Sequence, residues 1–482
     1  MKTVLPILLL MTHLTCWTQS EITWTMPMNV ATSNNGNMHP RVMLDALGNP
    51  MVLWGKSNND AMFSRWTGTS FSTPIALNST TPVFTASWAG PDLASDGDTV
   101  YAVFKETPED LGNMFMVHSY DGGMTFSDLV QIDNIGDSVS RFPTVTVSED
   151  GQPIVAFMKF NSSFGDAQWV VTTSLDFGSS FPPDVLASGW NGATVCDCCP
   201  GGIVANENNL AMLYRNNSSN IRDTWASIST DGGNTFDEGI NIDQENWMLM
   251  ACPSSGPDGF IANDTLYAVY MSGASGTSLA YMTKTSLNDI SSEGGEVLTG
   301  NFPGLSNQNF VRMANSGSST AIVWKQSVDG NNELALLFTS NMDNGWPDTY
   351  EVPAMDHVVN ADVAISDGNI YLVWEDDNSG TVKYRKGSFS IDETIIQKQT
   401  KNSLDIFPNP FVAEVQLTFE NLSNGKVDIM IQNILGEVVH TSTFNAFSGV
   451  TRKLELENLE KGMYLVQLTI NGERTTRKIV KQ

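Results

Sequence analysis

The sequence predicts an all-β protein, a seven-bladed β-propeller followed by a small C-terminal β-sandwich. Three observations predict it. An apolar run ends seven times in the same way: VLWGKS at Lys56, AVFKET at Lys105, VAFMKF at Lys159, MLYRNN at Arg215, AVYMSG at Met271, IVWKQS at Lys325 and LVWEDD at Glu375. The steps between these residues are 49, 54, 56, 56, 54 and 50. A second register runs ahead of the first, through Pro40-Arg-Val, Pro91-Asp-Leu, Pro143-Thr-Val, Pro200, Pro257, Phe310-Val and Asp362-Val. Two registers that agree at one period mark an internal repeat. Finally, turn residues such as Asp45–Asn49, Ser95–Asp98, Glu149–Gln152 and Asp367–Asn369 part the first two runs of each unit, which therefore read as hairpins.

Taken in order, Met1–Ser20 reads as a secretory signal, with Lys2 at its start, an apolar core Val4–Met11 and a small-residue exit. That core is too short to span a bilayer, and no later segment is long and apolar enough to do so. Glu21–Ala31 resembles the fourth strands that precede other units, and predicts a strand that completes the last sheet and closes the ring. Within each unit the second run is apolar at consecutive positions, as in Val-Leu-Trp and Ile-Val-Trp, which is expected of strands covered on both faces. Four-stranded sheets repeated at this period suit radial blades. A solenoid would need capping ends that the sequence does not supply. The expected domains are 1–20 signal, 21–390 propeller, 391–403 linker and 404–482 terminal sandwich.

Acidic residues outnumber basic ones 53 to 25, a net charge of −28. Such a surface repels nucleic acid and anionic lipid, so neither is an expected partner. The few cations are not spread evenly. Between residues 21 and 390 there are 14 basic residues. Lys56, Lys105, Lys159, Arg215 and Lys325 end second strands, and Arg41, Arg141 and Arg222 lie near the same openings. Cations gathered on one face predict a site for a glycan or another polyhydroxylated or anionic small ligand, with Lys56, Lys105, Lys159, Lys325, Arg141, Arg215 and Arg222 as binding residues. The bland alternative is that strand ends meeting solvent take long charged side chains.

The turn Ser119-Tyr-Asp121-Gly-Gly123-Met-Thr125-Phe126 recurs at Ser174–Phe181 and Ser229–Phe236, and in degenerate form at Ser340–Trp346. Asp and Ser bond the turn's own backbone and Gly takes positive φ. Here the chain resembles the Asp-box (BNR) repeat family of sialidases and their relatives. The resemblance implies a propeller, six-bladed in sialidases, with the Asp-box on the side away from the ligand. It also implies a reaction class. A sialidase uses a Tyr nucleophile polarised by a carboxylate, a separate acid/base carboxylate and Arg residues on the substrate's carboxylate. Tyr214, Asp223 and Glu375 are the matching catalytic candidates, and Arg141-Phe-Pro143 resembles the family's Arg-Ile-Pro motif. That motif stands in the third unit rather than the first, and no complete Arg triad aligns. The expectation is therefore a glycan-binding protein, with exo-acting sialidase-type hydrolysis as the alternative.

Beyond Lys398 the composition shifts. Phe407-Pro-Asn-Pro410, Asn433-Ile-Leu-Gly436 and Lys461-Gly-Met-Tyr464 stand among short strands. These landmarks resemble the C-terminal sorting domain of the type IX secretion system. The resemblance implies export through the periplasm by that machinery, then release or attachment at the outer-membrane cell surface.

Cys196, Cys198 and Cys199 precede Pro200, and Cys252 precedes Pro257 in almost the same slot one unit on. In an exported chain four Cys read as disulfides, with three pairings open. One bridge between the fourth and fifth units is expected. The alternative is a thiophilic metal, with Met248, Met250 or Met271 nearby; the spacing fits no common zinc pattern. Otherwise no cofactor is expected, and Ca²⁺ stays open.

Overall fold

The structure, a computed structural model, describes residues 22–31, 36–57, 59–136, 138–188, 194–299, 305–355, 357–366, 368–390, 403–420, 425–433, 437–446, 451–470 and 473–482. The expected signal at 1–20 and nearly all of the expected linker lie outside these residues. Among the described residues the secondary structure is β-strand and one 3₁₀ turn, Met342–Asn344.

Each repeat folds as one antiparallel sheet. Sheet I joins Asn37–Leu44, Pro50–Lys56, Asp60–Arg65 and Ile75–Ala76, and sheet II joins Asp92–Asp96, Thr99–Lys105, Met114–Ser119 and Val130–Gln131. Sheet III runs from Val139–Val147 to Val185–Leu186, sheet IV from Gly202–Asn206 to Ile240–Asn241, and sheet V from Asp258–Ala262 to Glu296–Val297. Sheet VI runs from Ser306–Ser316 to Glu351–Met355, and sheet VII holds Val358–Ser366, Asn369–Asp376 and Thr381–Ser388. The fourth place in sheet VII is taken by the N-terminal strands Thr23–Trp24 and Met28–Asn29, which pair with Thr381–Ser388. Residues some 360 apart in sequence thus share one sheet.

The second strands are buried almost throughout, as in Pro50–Lys56 and Thr99–Lys105, because neighbouring sheets cover both faces. The cores lie between sheets: Met51, Leu53 and Phe63 of sheet I close on Leu93, Val100 and Phe104 of sheet II. First strands touch their successors from sheet to sheet, and that of sheet VII returns to that of sheet I.

Four first strands break register shortly before the axis, between Met38 and Arg41, Arg141 and Thr144, Asn309 and Arg312, and Val358 and Ala361. In three of these bulges a non-glycine residue takes left-handed backbone: His39 (φ 55), Phe142 (φ 56) and Phe310 (φ 54). Bulges re-aim side chains, and strained backbone of this kind persists where its surroundings fix it. Here they turn His39, Phe142 and Phe310 into the mouth of the central channel.

The three Asp-box turns share one hydrogen-bond pattern. Ser119 Oγ donates to Asp121 Oδ1 (2.8 Å) and accepts from Gly123 N–H (2.9 Å), and Asp121 takes both the N–H and the Oγ1–H of Thr125. Ser174–Asp176–Ser180 and Ser229–Asp231–Thr235 repeat it. Gly123, Gly178 and Gly233 sit at φ 75, 85 and 88, where any side chain is strained.

The C-terminal region is a sandwich of two sheets, Ser403–Phe407 with Glu414–Glu420 and Thr451–Glu455, against Gly425–Asn433, Val438–Ala446, Gly462–Ile470 and Glu473–Lys481. Its separate core holds Phe411, Val415, Leu417, Val427, Ile429 and Val466.

Candidate functional site: the axial mouth

The second register identified from sequence lies along the central channel. Its charged members, Arg41, Asp92, Asp258 and Asp362, meet there with Arg312. Each Asp stitches its own sheet to the next. Asp92 accepts from Val145 N–H and Thr144 Oγ1, Asp258 from Met313 N–H, and Asp362 from Val42 N–H. The two arginines compensate them: Arg41 Nε is 3.5 Å from Asp92, and Arg312 Nε is 3.4 Å from Asp258 and 3.1 Å from Asp362. Buried charges need such pairing to be tolerated.

The two guanidinium groups differ in what remains to them. Arg41 is spent, since its Nη1 donates to Pro40 O and Asn360 Oδ1 and its Nη2 to His39 Nε2 at 2.7 Å. His39 Nδ1 in turn donates to Ser87 O, so the ring is the neutral Nδ1–H tautomer. Burial, and then the Arg41 charge, hold its pKa well below the usual imidazole value. Burial and repulsion from Arg312 lower Arg41 to about 10. Arg312 is anchored through Nε alone. Burial works against its charge, but Asp258 and Asp362 outweigh that and raise its pKa. Among the described residues its Nη atoms donate no hydrogen bond, and the side chain lines the axial pocket.

That pocket is bounded by His39, Arg41, Trp88, Phe142, Arg312 and Asn360, with the backbone of Pro200–Gly201 and Gly256–Pro257. It is narrow, since the space that the centre of a water molecule can occupy is only about 50 Å³. Trp88, which is 42% exposed, stands at its rim. Glu375 lies behind the wall, accepting from His39 N–H and Ser87 Oγ, and burial raises its pKa.

The residues expected to form an open basic face do not gather into one. Lys105 is sunk between Gly112 O and Ser140 Oγ, and burial lowers its pKa to about 8. Arg215 is 1% exposed, donates to the carbonyls of Arg222 and Met271, and stacks on Trp247. Lys159 pairs with Asp184 and Arg141 with Glu109, while Lys56, at its strand end, and Lys325, within its strand, are half-buried. Arg222 donates to Leu249 O and to Cys196 Sγ. A strand end that meets a neighbouring loop finds its own acceptor before any ligand does.

Two catalytic candidates are likewise corrected. Tyr214 is 2% exposed and its hydroxyl meets only Ser227 Oγ, at 3.5 Å, among the described residues. Asp223 is 1% exposed and accepts from Asn246 N–H, Trp247 N–H and the Asn241 amide, so it fixes a loop. Sequence reasoning missed Arg312, His39 and Trp88. The signal was present in the second register, where charged residues interrupt an otherwise apolar inner strand.

Of the two bridges that four paired cysteines would form, one is present, and it makes the expected link between the fourth and fifth units. Cys198 and Cys252 are bridged, joining sheet IV to the loop before sheet V, while Cys196 and Cys199 are buried free thiols. The four sulfurs lie within 4.8 Å of one another, a grouping that could hold a metal ion once the bridged pair is reduced to thiolates.

No curated protein matches the chain. Similar solved structures include a protein of unknown function from Dyadobacter fermentans (TM-score 0.44, 10% identity, covering 66% of this chain and 98% of that one). Others are the GH93 α-L-arabinofuranosidase of Fusarium graminearum in complex with arabinobiose (0.46, 12%, 67% and 99%) and the Hadza microbial sialidase Hz136 (0.42, 11%, 77% and 69%). At that depth no residue role passes from them to this chain. No helix among the described residues is long and apolar enough to cross a membrane. Residues 405–482 match the family model of the secretion system C-terminal sorting domain, so this part of the chain belongs to that family and marks the protein for export to the cell surface or the medium.

Proposed function

We propose that the exported part is a seven-bladed propeller that binds an acidic glycan at its axial mouth, a terminal carboxylate entering the pocket and the sugar ring resting beside Trp88. The observation that carries this reading is the Arg312 guanidinium, which lines the axial pocket, is fixed through Nε by two carboxylates and donates no hydrogen bond from its Nη atoms among the described residues. A planar fork held in advance suits bidentate carboxylate recognition, and an aromatic at the rim suits a sugar face. Retention without turnover is the expected behaviour. Among the described residues, Asp92, Asp258 and Asp362 at the mouth are all engaged with backbone N–H groups and arginines, which favours binding over hydrolysis by these three carboxyls.

A glycan array with the full chain tests this. Glycans ending in a carboxylated sugar should be retained and their neutral counterparts should not. Arg312→Lys, which keeps the charge but loses the fork, should weaken retention at least about tenfold. Equal retention of neutral and acidic glycans would remove the carboxylate from the reading. Release of free sugar from the array would convert it to the exo-glycosidase alternative.

A further inference from the structure

We propose that Cys196, Cys198, Cys199 and Cys252 form an internal thiol–disulfide exchange site, which passes the bridge between sheets IV and V to the buried Cys196–Cys199 pair. All four sulfurs lie within 4.8 Å of one another. Cys196 Sγ is 3.7 Å from Cys198 Sγ, which is one end of the bridge, and 2.7 Å from Cys199 Sγ. The sulfur that would leave, Cys252, is exposed, whereas Cys196 and Cys199 are shielded from solvent.

The surroundings assign the roles. Cys196 Sγ lies directly against Cys199 Sγ and receives a hydrogen bond from Arg222 Nη1 at 3.1 Å, with the Arg215 charge further off. These contacts, Cys199 first, outweigh burial and bring Cys196 down to about 7. Burial pushes Cys199 upward. Asp197, the acidic group next in the chain, is exposed. Thiolate attack is fastest when the attacking thiol's pKa lies near the ambient pH, so Cys196 is the attacking group and Cys199 the resolving one.

The step balances without an outside oxidant or reductant. Cys196, having lost its proton, attacks Cys198 Sγ; the Cys196–Cys198 bond forms as Cys198–Cys252 breaks, and Cys252 leaves as a thiolate that takes up the equivalent proton. Cys199 then loses its proton and attacks Cys196 Sγ, expelling Cys198 as a thiolate that is protonated in turn. One disulfide and two thiols exist before and after. What changes is that the Cys196–Pro200 loop is untied from the loop before Pro257. Pro200, Gly201, Gly256 and Pro257 all line the axial mouth, so the position of the bridge decides whether that part of its rim is stapled.

The full-length protein, purified without reductant, is incubated with excess N-ethylmaleimide under native conditions, then denatured in acid and mapped by mass spectrometry. The expected result is progressive labelling of Cys252 and Cys198, with the bridge recovered at Cys196–Cys199. The labelling rate should rise about tenfold per pH unit below 7 and flatten above it, and Cys196→Ser should abolish it. Because that variant removes a buried group, the pH profile of the unaltered protein stands as the second test. The proposal is overturned by a persistent Cys198–Cys252 bridge, by maleimide on Cys196 or Cys199 beside that bridge, or by two bridges in one chain. It is equally overturned by four reduced cysteines that hold a metal, or by a rate that ignores pH. None of these readouts involves a glycan, so they stand or fall apart from the proposed binding function.

Discussion

Arg312 is the residue on which stability and the proposed recognition meet, and two substitutions separate them. Arg312→Gln leaves Asp258 and Asp362 without their counter-charge. Breaking a buried pair in this way costs about 3–5 kcal/mol, and the partial exposure of the arginine (20%) places the expected loss at the low end of that range. Chemical denaturation should record it as a lower midpoint with unchanged slope. Arg312→Lys keeps the counter-charge, so its midpoint should stay close to that of the unaltered protein while glycan retention falls. Tyr214→Phe is the contrasting case. It removes a hydroxyl with one long contact, so stability should change by no more than about 1 kcal/mol and retention not at all. Loss of retention in Tyr214→Phe would return that tyrosine to the site.

At the scale of the turn and the strand, the Asp-box repeats predict an acid sensitivity. Burial works to raise the pKa of Asp121, Asp176 and Asp231, but the hydrogen bonds from Thr125, Ser180 and Thr235 and from the turn serines outweigh it and hold all three below the usual carboxylate value. A folded pKa below the unfolded one stabilises fully above about pH 4 and is lost as pH falls through the folded value. Thermal melts should therefore fall more steeply from pH 4 to 2 in the unaltered protein than in a triple Asp→Asn variant, and salt should shrink the difference, because Asp231 is exposed and Asp121 and Asp176 are partly so. The strands and turns were legible because each is set by local chemistry: period, turn residues and apolar runs. The site was less so. A lysine at a strand end carries no record in sequence of which neighbour will meet it, and Lys105 and Arg215 are each held between a loop of their own sheet and a strand of the next. By contrast Asp92, Asp258 and Asp362 stood in plain register. They passed as punctuation because the pairing that gives them meaning comes from sheets 50 or more residues away. That a bridge ties the fourth unit to the fifth was legible for the opposite reason, since equal slots in adjacent repeats lie side by side, but the slot match pointed to Cys196 and the bridged residue is Cys198.

At the scale of the whole molecule, the sorting domain and the mouth use opposite ends of the ring. Lys478 of the sorting domain donates to Thr99 Oγ1 and lies 4.3 Å from the ring centre of Tyr120 and 5.2 Å from that of Phe177. Thr99 opens the second strand of sheet II, just after its hairpin turn, while Tyr120 and Phe177 belong to Asp-box turns, so all three mark the hairpin end. The mouth lies at the other end, where first strands begin and second strands finish. Each part also has its own core, and the ring is closed by its own N-terminal strands rather than by the sorting domain. Removal of residues 391–482 should therefore leave acidic-glycan retention unchanged and keep a single cooperative melt for the ring. Lys478→Ala in the full chain should instead loosen the docked sorting domain, by about 0.5–2 kcal/mol for the lost cation–π contacts, and expose the linker to protease without touching retention. Deletion of residues 22–31 is the counter-test. It takes away the strands that complete sheet VII and bares the edge of Thr381–Ser388, so the melt should broaden and retention at the mouth should fall with it. A ring that bound and melted normally without residues 22–31 would show that closure depends on the contact between first strands, and not on the fourth strand of sheet VII.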